Sequence, residues 1–96
     1  MITSKQRAYL RSIGQNLDPT FNIGLAGVTP ELVIAVDKAL EVREILKVNV
    51  LKNCEEDVRE ACDTMCGRLH AEPVQCIGRK FVIYRASKKD PKIILP

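Results

Sequence analysis

Apolar residues recur along this chain with two different periods, and the changes of period mark its elements. From Ser4 to about Asn16, Tyr9, Leu10, Ile13 and Leu17 return at helical spacing, while Arg7 and Arg11, four apart, share another side. Thr3 followed by Gln6 has the spacing of a capping box and predicts the helix start. "DPT" at 18–20 then imposes a turn and an extended entry into a short strand, Thr20 to Ile23. Thr29 and Pro30 suit the cap and first position of a second helix, which runs to about Glu44. Its inward stripe is Leu32, Val33, Val36, Ala39 and Leu40; Asp37, Lys38 and Glu41 look outward.

From Ile45 the period falls to two, with Leu46, Val48 and Val50 against Lys47 and Asn49, which predicts a half-buried strand. Asn53 with Glu56 reads as a second capping box, opening a helix to about Leu69. Cys54, Val58, Ala61, Cys62, Met65 and Leu69 form its apolar side, and Glu56, Asp57, Glu60 and Asp63 lie across from them. "EPVQCIGRKFVIYR" reads as a hairpin turned at Gly78 and Arg79, with Val74 and Cys76 alternating with polar neighbours and Phe81 to Arg85 returning. The order α-β-α-β-α-β-β predicts an α/β layered fold with three helices on a four-stranded mixed sheet. A chain of 96 residues is expected to form a single domain, 1–96, with a basic C-terminal tail from about 86.

An apolar fraction of 46% suffices for a core without metal or disulfide help. Without an export signal or an apolar run of about 18 residues, a soluble cytoplasmic protein with four free thiols is expected. The net charge of +3 is unevenly placed: residues 1–29 sum to +2, 30–72 to −4 and 73–96 to +5. Basic ends around an acidic middle suit a polyanion partner better than a uniformly solvated surface does.

The candidate chemistry sits in "NIGLAGVTPELV". Gly24-Leu25-Ala26-Gly27 ends a strand and runs into a helix start, so main chain at Gly24 and Gly27 is open to close approach. The N–H groups around Val28 and Thr29 face outward at the positive end of a helix dipole. Phosphate is the natural ligand for such a loop. Arg7, Arg11, Arg79, Lys80, Lys88 and Lys89 supply neutralising charge, and Arg85 ends the last strand beside the tail. Cys62, Cys66 and His70 recur every four residues, but without a Cys-x-x-Cys pair they read as buried thiols rather than a metal site. With a single His and no third group to orient it, Cys66 and His70 do not make a nucleophile and base. Phe81 and Tyr84 read as core residues rather than base-stacking aromatics. Neither catalysis nor a cofactor is expected.

"SKQRAYLRSIGQNL", "NIGLAGVTPELV", "ALEVREILKVNV", "CIGRKFVIYRAS" and "PKIILP" together resemble the successive motifs of the CRM-domain family (chloroplast RNA splicing and ribosome maturation), closely its small bacterial stand-alone members, the YhbY proteins. The resemblance covers nearly the whole chain. It implies a KH-like fold akin to the C-terminal domain of bacterial initiation factor three, RNA binding, and association with pre-large-subunit ribosomal RNA. It places the RNA-contacting GxxG loop on Gly24, Leu25, Ala26 and Gly27. Members of the family often carry a Lys between these glycines; this chain has none, which shifts the cationic contribution to the first helix, the hairpin turn and the tail. A monomer with no membrane and no small-molecule substrate is expected. The rival reading is an adaptor docking on a ribosomal protein or assembly factor through its acidic helix or open sheet face.

Overall fold

A computed structural model describes residues 2–96. The elements are α1 (Ser4–Gly14), β1 (Pro19–Ile23), α2 (Pro30–Arg43), β2 (Ile45–Val50), α3 (Val58–Leu69), β3 (Glu72–Ile77) and β4 (Lys80–Tyr84). The strands form one mixed sheet in the order β1-β2-β4-β3. β1 and β2 are parallel because α2 returns the chain between them, while β4 runs antiparallel to both neighbours.

Helices pack on both sheet faces. On one, α2 and α3 bury Ile23, Leu46, Val48, Val50, Phe81 and Ile83 with Val36, Leu40, Cys62 and Met65. On the other, α1 covers only part of the sheet, where Leu10 meets Ile45, Val74, Val82 and Tyr84. Gly14 makes that crossing close: a Cβ there would lie 3.1 Å from both methyl groups of Val82.

The caps at Thr3 and Thr29 form as the sequence predicts. Thr3 and Gln6 exchange side-chain and main-chain bonds at 3.1 and 2.9 Å, and Thr29 Oγ1 accepts from Leu32 N–H at 3.1 Å. α1 stops at Gly14 rather than Asn16, because the N–H groups of Asn16 and Leu17 turn back to the carbonyls of Ile13 and Gly14. The start of α3 also differs. Asp57, not Asn53, is its cap, accepting from Glu60 N–H at 2.8 Å, while Cys54 N–H closes a turn on Leu51. Two cap-competent residues lay four apart, and the turn that seats Cys54 in the core selected the later one.

In the hairpin, register slips between Pro73 and Gln75, which places a bulge at Val74. Val74 therefore enters the cluster under α1 while Cys76 packs against the α2–α3 core, so the two residues face opposite sides.

The C-terminal segment does not trail away. Glu44 is fully buried at φ 66, and its carboxylate accepts N–H bonds from Ser87 (2.8 Å), Lys92 (2.6 Å) and Ile93 (2.8 Å). Ile93 and Leu95 pack beside α1 in the second cluster. Burial would raise the Glu44 carboxyl, but the amides of Ser87, Ile93 and Lys92 outweigh it and hold the group below its ordinary 4.5. Glu41 is likewise held low, chiefly by the N–H of Lys88, against some burial and with help from the Ser87 hydroxyl.

Candidate functional site

β1 ends at Ile23, which pairs with Val50 at the end of β2. There the chain turns tightly, with Gly27 N–H donating to the Gly24 carbonyl at 3.0 Å. Gly27 has φ +72, a conformation that strains any L side chain. Gly24 has no such need; a Cβ there would make ordinary contacts with Leu51 and Asn53 at 3.6 and 3.7 Å. Its service is openness. Leu25 is 70% exposed at the tip, Ala26 is exposed, and the half-buried Val28 and Thr29 lead directly into α2.

One neighbour opposes an anion here. A Glu56 carboxylate oxygen lies 3.3 Å from where a Cβ on Gly27 would stand. Glu56 arrives because α3 is capped one residue later, at Asp57, which folds the preceding acid back over the glycine turn.

The β3–β4 turn lies at this same end of the sheet. Lys80 pairs with Asn49, and Val50 N–H donates to the Arg79 carbonyl at 2.7 Å. The Arg79 guanidinium donates to the carbonyls of Val50 (3.0 Å) and Leu51 (2.6 Å), so it fastens the β2–α3 loop while its charge remains at the surface. A depression of about 370 Å³ opens between Asn49, Lys52, Arg79 and Lys80.

From this rim an uncovered part of the sheet extends toward α1. Strand alternation opposite Phe21, Ile23, Leu46, Val48 and Phe81 puts Thr20, Asn22, Lys47, Asn49 and Lys80 on it. Asn49 Nδ2 donates to Asn22 Oδ1 at 3.2 Å, joining β2 to β1 across this surface. α1 borders it with the Arg7 and Arg11 flank, since the other flank meets the C-terminal segment through Ile13, Leu17 and the bond from Gln6 Nε2 to Pro96. Arg7 is not on a free outer face: it is half-buried and Nε donates to the Pro73 carbonyl at 3.2 Å. Arg11, one turn on, is exposed.

Of the cations singled out in the sequence, Arg7, Arg11, Arg79 and Lys80 thus border one continuous surface with the glycine turn. The structure sets the rest apart. Arg85 follows Tyr84, which pairs with Ile45 at the opposite end of β2. Its guanidinium is committed to Asp37 at 2.7 Å and to the Leu69 carbonyl at 3.0 Å, leaving the side chain 12% exposed. Lys88 and Lys89 lie at that end too, held through the Glu41 carboxylate and the Ser87 hydroxyl. Lys47, Asn22 and Asn49 belong to the surface although they carry no motif; the signal was the period-two pattern of β2, whose polar side needed α1 to stop short to become a face.

Phe81 and Tyr84 are buried on opposite sides of the sheet. Cys54, Cys62 and Cys66 are buried free thiols. Burial pushes the Cys76 thiol up to about 11, and a hydrogen bond with Cys66 together with burial raises Cys62. Among the described residues no group of three His, Cys, Asp or Glu is placed to hold a metal, and no helix is long and apolar enough to cross a membrane.

A solution structure from Staphylococcus aureus superposes on the chain with a TM-score of 0.84 at 44% identity, covering 100% of both chains. The "Probable RNA-binding protein YqeI" of Bacillus subtilis is 40% identical over 96 residues, the full length of each. An "RNA-binding protein" of Haemophilus influenzae is 30% identical over 95 residues, 99% of this chain and 95% of its own. Neither of these names is that of an enzyme. The family model described as "CRS1 / YhbY (CRM) domain" matches residues 2–85, and the chain belongs to that family.

Proposed function

We propose that this protein binds RNA, and that it serves large-subunit ribosome assembly in the cytoplasm by gripping the backbone of pre-large-subunit ribosomal RNA. Curated relatives of full matching length carry RNA binding in their names, and the ribosomal target follows from the resemblance to stand-alone bacterial CRM proteins. The observation that carries the reading is the meeting, at one end of the sheet, of an exposed glycine turn, the start of α2 and the Arg79–Lys80 turn. Main-chain N–H groups at Val28 and Thr29 meet phosphate; Arg7, Arg11, Arg79 and Lys80 neutralise it. Arg85, Lys88 and Lys89 are left out of the grip. The protein acts as a monomer, without cofactor or catalysis.

Titrating a protein-free ribosomal RNA fragment at several salt concentrations tests this. Four cations meeting four phosphates give a slope of log affinity against log salt of about −3 to −4. A flat response would refute the phosphate grip. Glu56 adds a second expectation of opposite sign to most substitutions. A phosphate about 5 Å from its carboxylate loses nearly 1 kcal/mol to repulsion in water, so E56Q should tighten binding roughly fourfold. Unchanged or weaker affinity would show that phosphate does not approach Gly27.

A further inference from the structure

The reading above leaves open which form of RNA is held, and the uncovered sheet face bears on that choice. The chain has four aromatic residues, two Phe and two Tyr, and no Trp. None lies on this face: Phe21 and Phe81 pack toward α2 and α3, Tyr84 lies beneath α1, and Tyr9 stands on that helix. Proteins that hold single strands gain about 1–3 kcal/mol for each base stacked on an aromatic ring. Splayed bases would find no such platform here.

What the face does offer are amides and ammonium groups. Asn49 spends one N–H on Asn22 and keeps the other, with its carbonyl oxygen; Asn22 keeps both of its N–H groups. Lys80 stands opposite Asn49 on β4, and Lys47 lies two residues back along β2. With strands about 4.8 Å apart, the Asn22 and Lys80 columns stand about 10 Å from each other, so donors, acceptors and positive charge alternate across a nearly flat surface. An A-form helix presents a wide, shallow minor groove lined by 2′-hydroxyls, which both donate and accept, between two phosphate rails. The amide pair suits the hydroxyl row, with Lys80 beside it on β4 and Lys47 two residues back along β2 within reach of phosphate; a single RNA strand carries 2′-hydroxyls but no two fixed rails, and the deoxyribose edge of DNA lacks the hydroxyls.

Building on the proposed RNA binding, we infer that this protein takes double-helical RNA, seating its minor-groove edge on the sheet face at Asn22, Asn49, Lys47 and Lys80 while the glycine turn holds one phosphate rail. The amides read ribose rather than bases, so the preference is for sugar and helix form and not for sequence.

Fluorescence anisotropy with three labelled probes of one sequence tests this: an RNA hairpin stem of about 16 base pairs, comparable to the span of other duplex-RNA modules, its single strand, and the matching DNA duplex. The RNA stem should bind at least tenfold more tightly than either of the others. The paired substitution N22A/N49A should bring the RNA-to-DNA ratio close to one while leaving the salt-dependent residue of binding, and N22S/N49S should do the same if alanine disturbs the strands. The inference is overturned if the single strand binds as well as the stem, or if both paired variants keep the parent ratio. Failure of every probe to bind would overturn RNA binding itself, a result distinct from binding with the wrong preference.

Discussion

Replacing Glu44 with alanine is expected to release the C-terminal segment and to lower unfolding free energy by about 3 kcal/mol, the lower part of the range for removing one member of a buried charge network. The carboxylate is fully buried and accepts three N–H bonds from Ser87, Lys92 and Ile93. Without it those amides are either buried unpaired or returned to water, and undocking is the cheaper course. Undocking in turn exposes Ile93 and Leu95 and uncovers one flank of α1. The loss is therefore capped by the docking energy of the segment rather than by the sum of three bonds. Glutamine is no substitute, since its NH₂ would face donors only. Glycine makes an informative control: Glu44 sits at φ 66, so E44G loses the carboxylate but relieves about 1 kcal/mol of backbone strain. Denaturant midpoints should rank parent, E44G, E44A, and amide exchange at Lys92 and Ile93 should accelerate in both variants. An E44A protein as stable as the parent would mean that the pinned segment contributes nothing.

The same group fixes the acid response. Glu44 and Glu41 both titrate below their ordinary 4.5 in the folded chain, so each binds its proton more readily once unfolded. Their contribution is thus complete above about 4.5 and is lost as pH falls through the folded-state values. Between neutrality and pH 5 the segment should stay docked.

The elements were legible because each depends on neighbours in sequence. Thr3 and Gln6 cap α1 with three residues between donor and acceptor, and β2 announces itself by alternation alone. Contacts across long separations were not legible. Nothing near Glu44 in sequence marks its carboxylate as buried; its partners Ser87 and Ile93 lie more than forty residues on. Arg85 looked like a free cation next to a basic tail; Asp37, 48 residues earlier, holds it. The glycine turn was readable from Gly24 and Gly27, whereas the amide and lysine face behind it depends on α1 covering only the part of the sheet around Ile45, Val74, Val82 and Tyr84. Three of the seven cations singled out in the sequence, Arg85, Lys88 and Lys89, lie away from the loop, because this part of the chain is tied to Asp37 and Glu41 of α2.

The largest loss of binding is expected from R11E/K80E. Both residues are exposed, so the pair tests the surface without dismantling it. Arg7 would be a poor choice, since its bond to the Pro73 carbonyl ties α1 to β3 and a glutamate there would loosen the fold. Each reversal removes a neutralised phosphate and places an anion against the next, which should lower the salt slope by about two and the affinity for protein-free ribosomal RNA on the order of 10²–10³ at physiological salt. The matched control is E60K/D63K on the exposed acidic side of α3. Asp57 is avoided there because it caps the helix. If RNA is the partner, the control binds at least as tightly as the parent, since two repelling charges have gone. If the protein is an adaptor, the control loses its docking on a ribosomal protein or assembly factor, while R11E/K80E leaves that docking intact and binds protein-free RNA within about threefold of the parent, a change too small for even one phosphate contact.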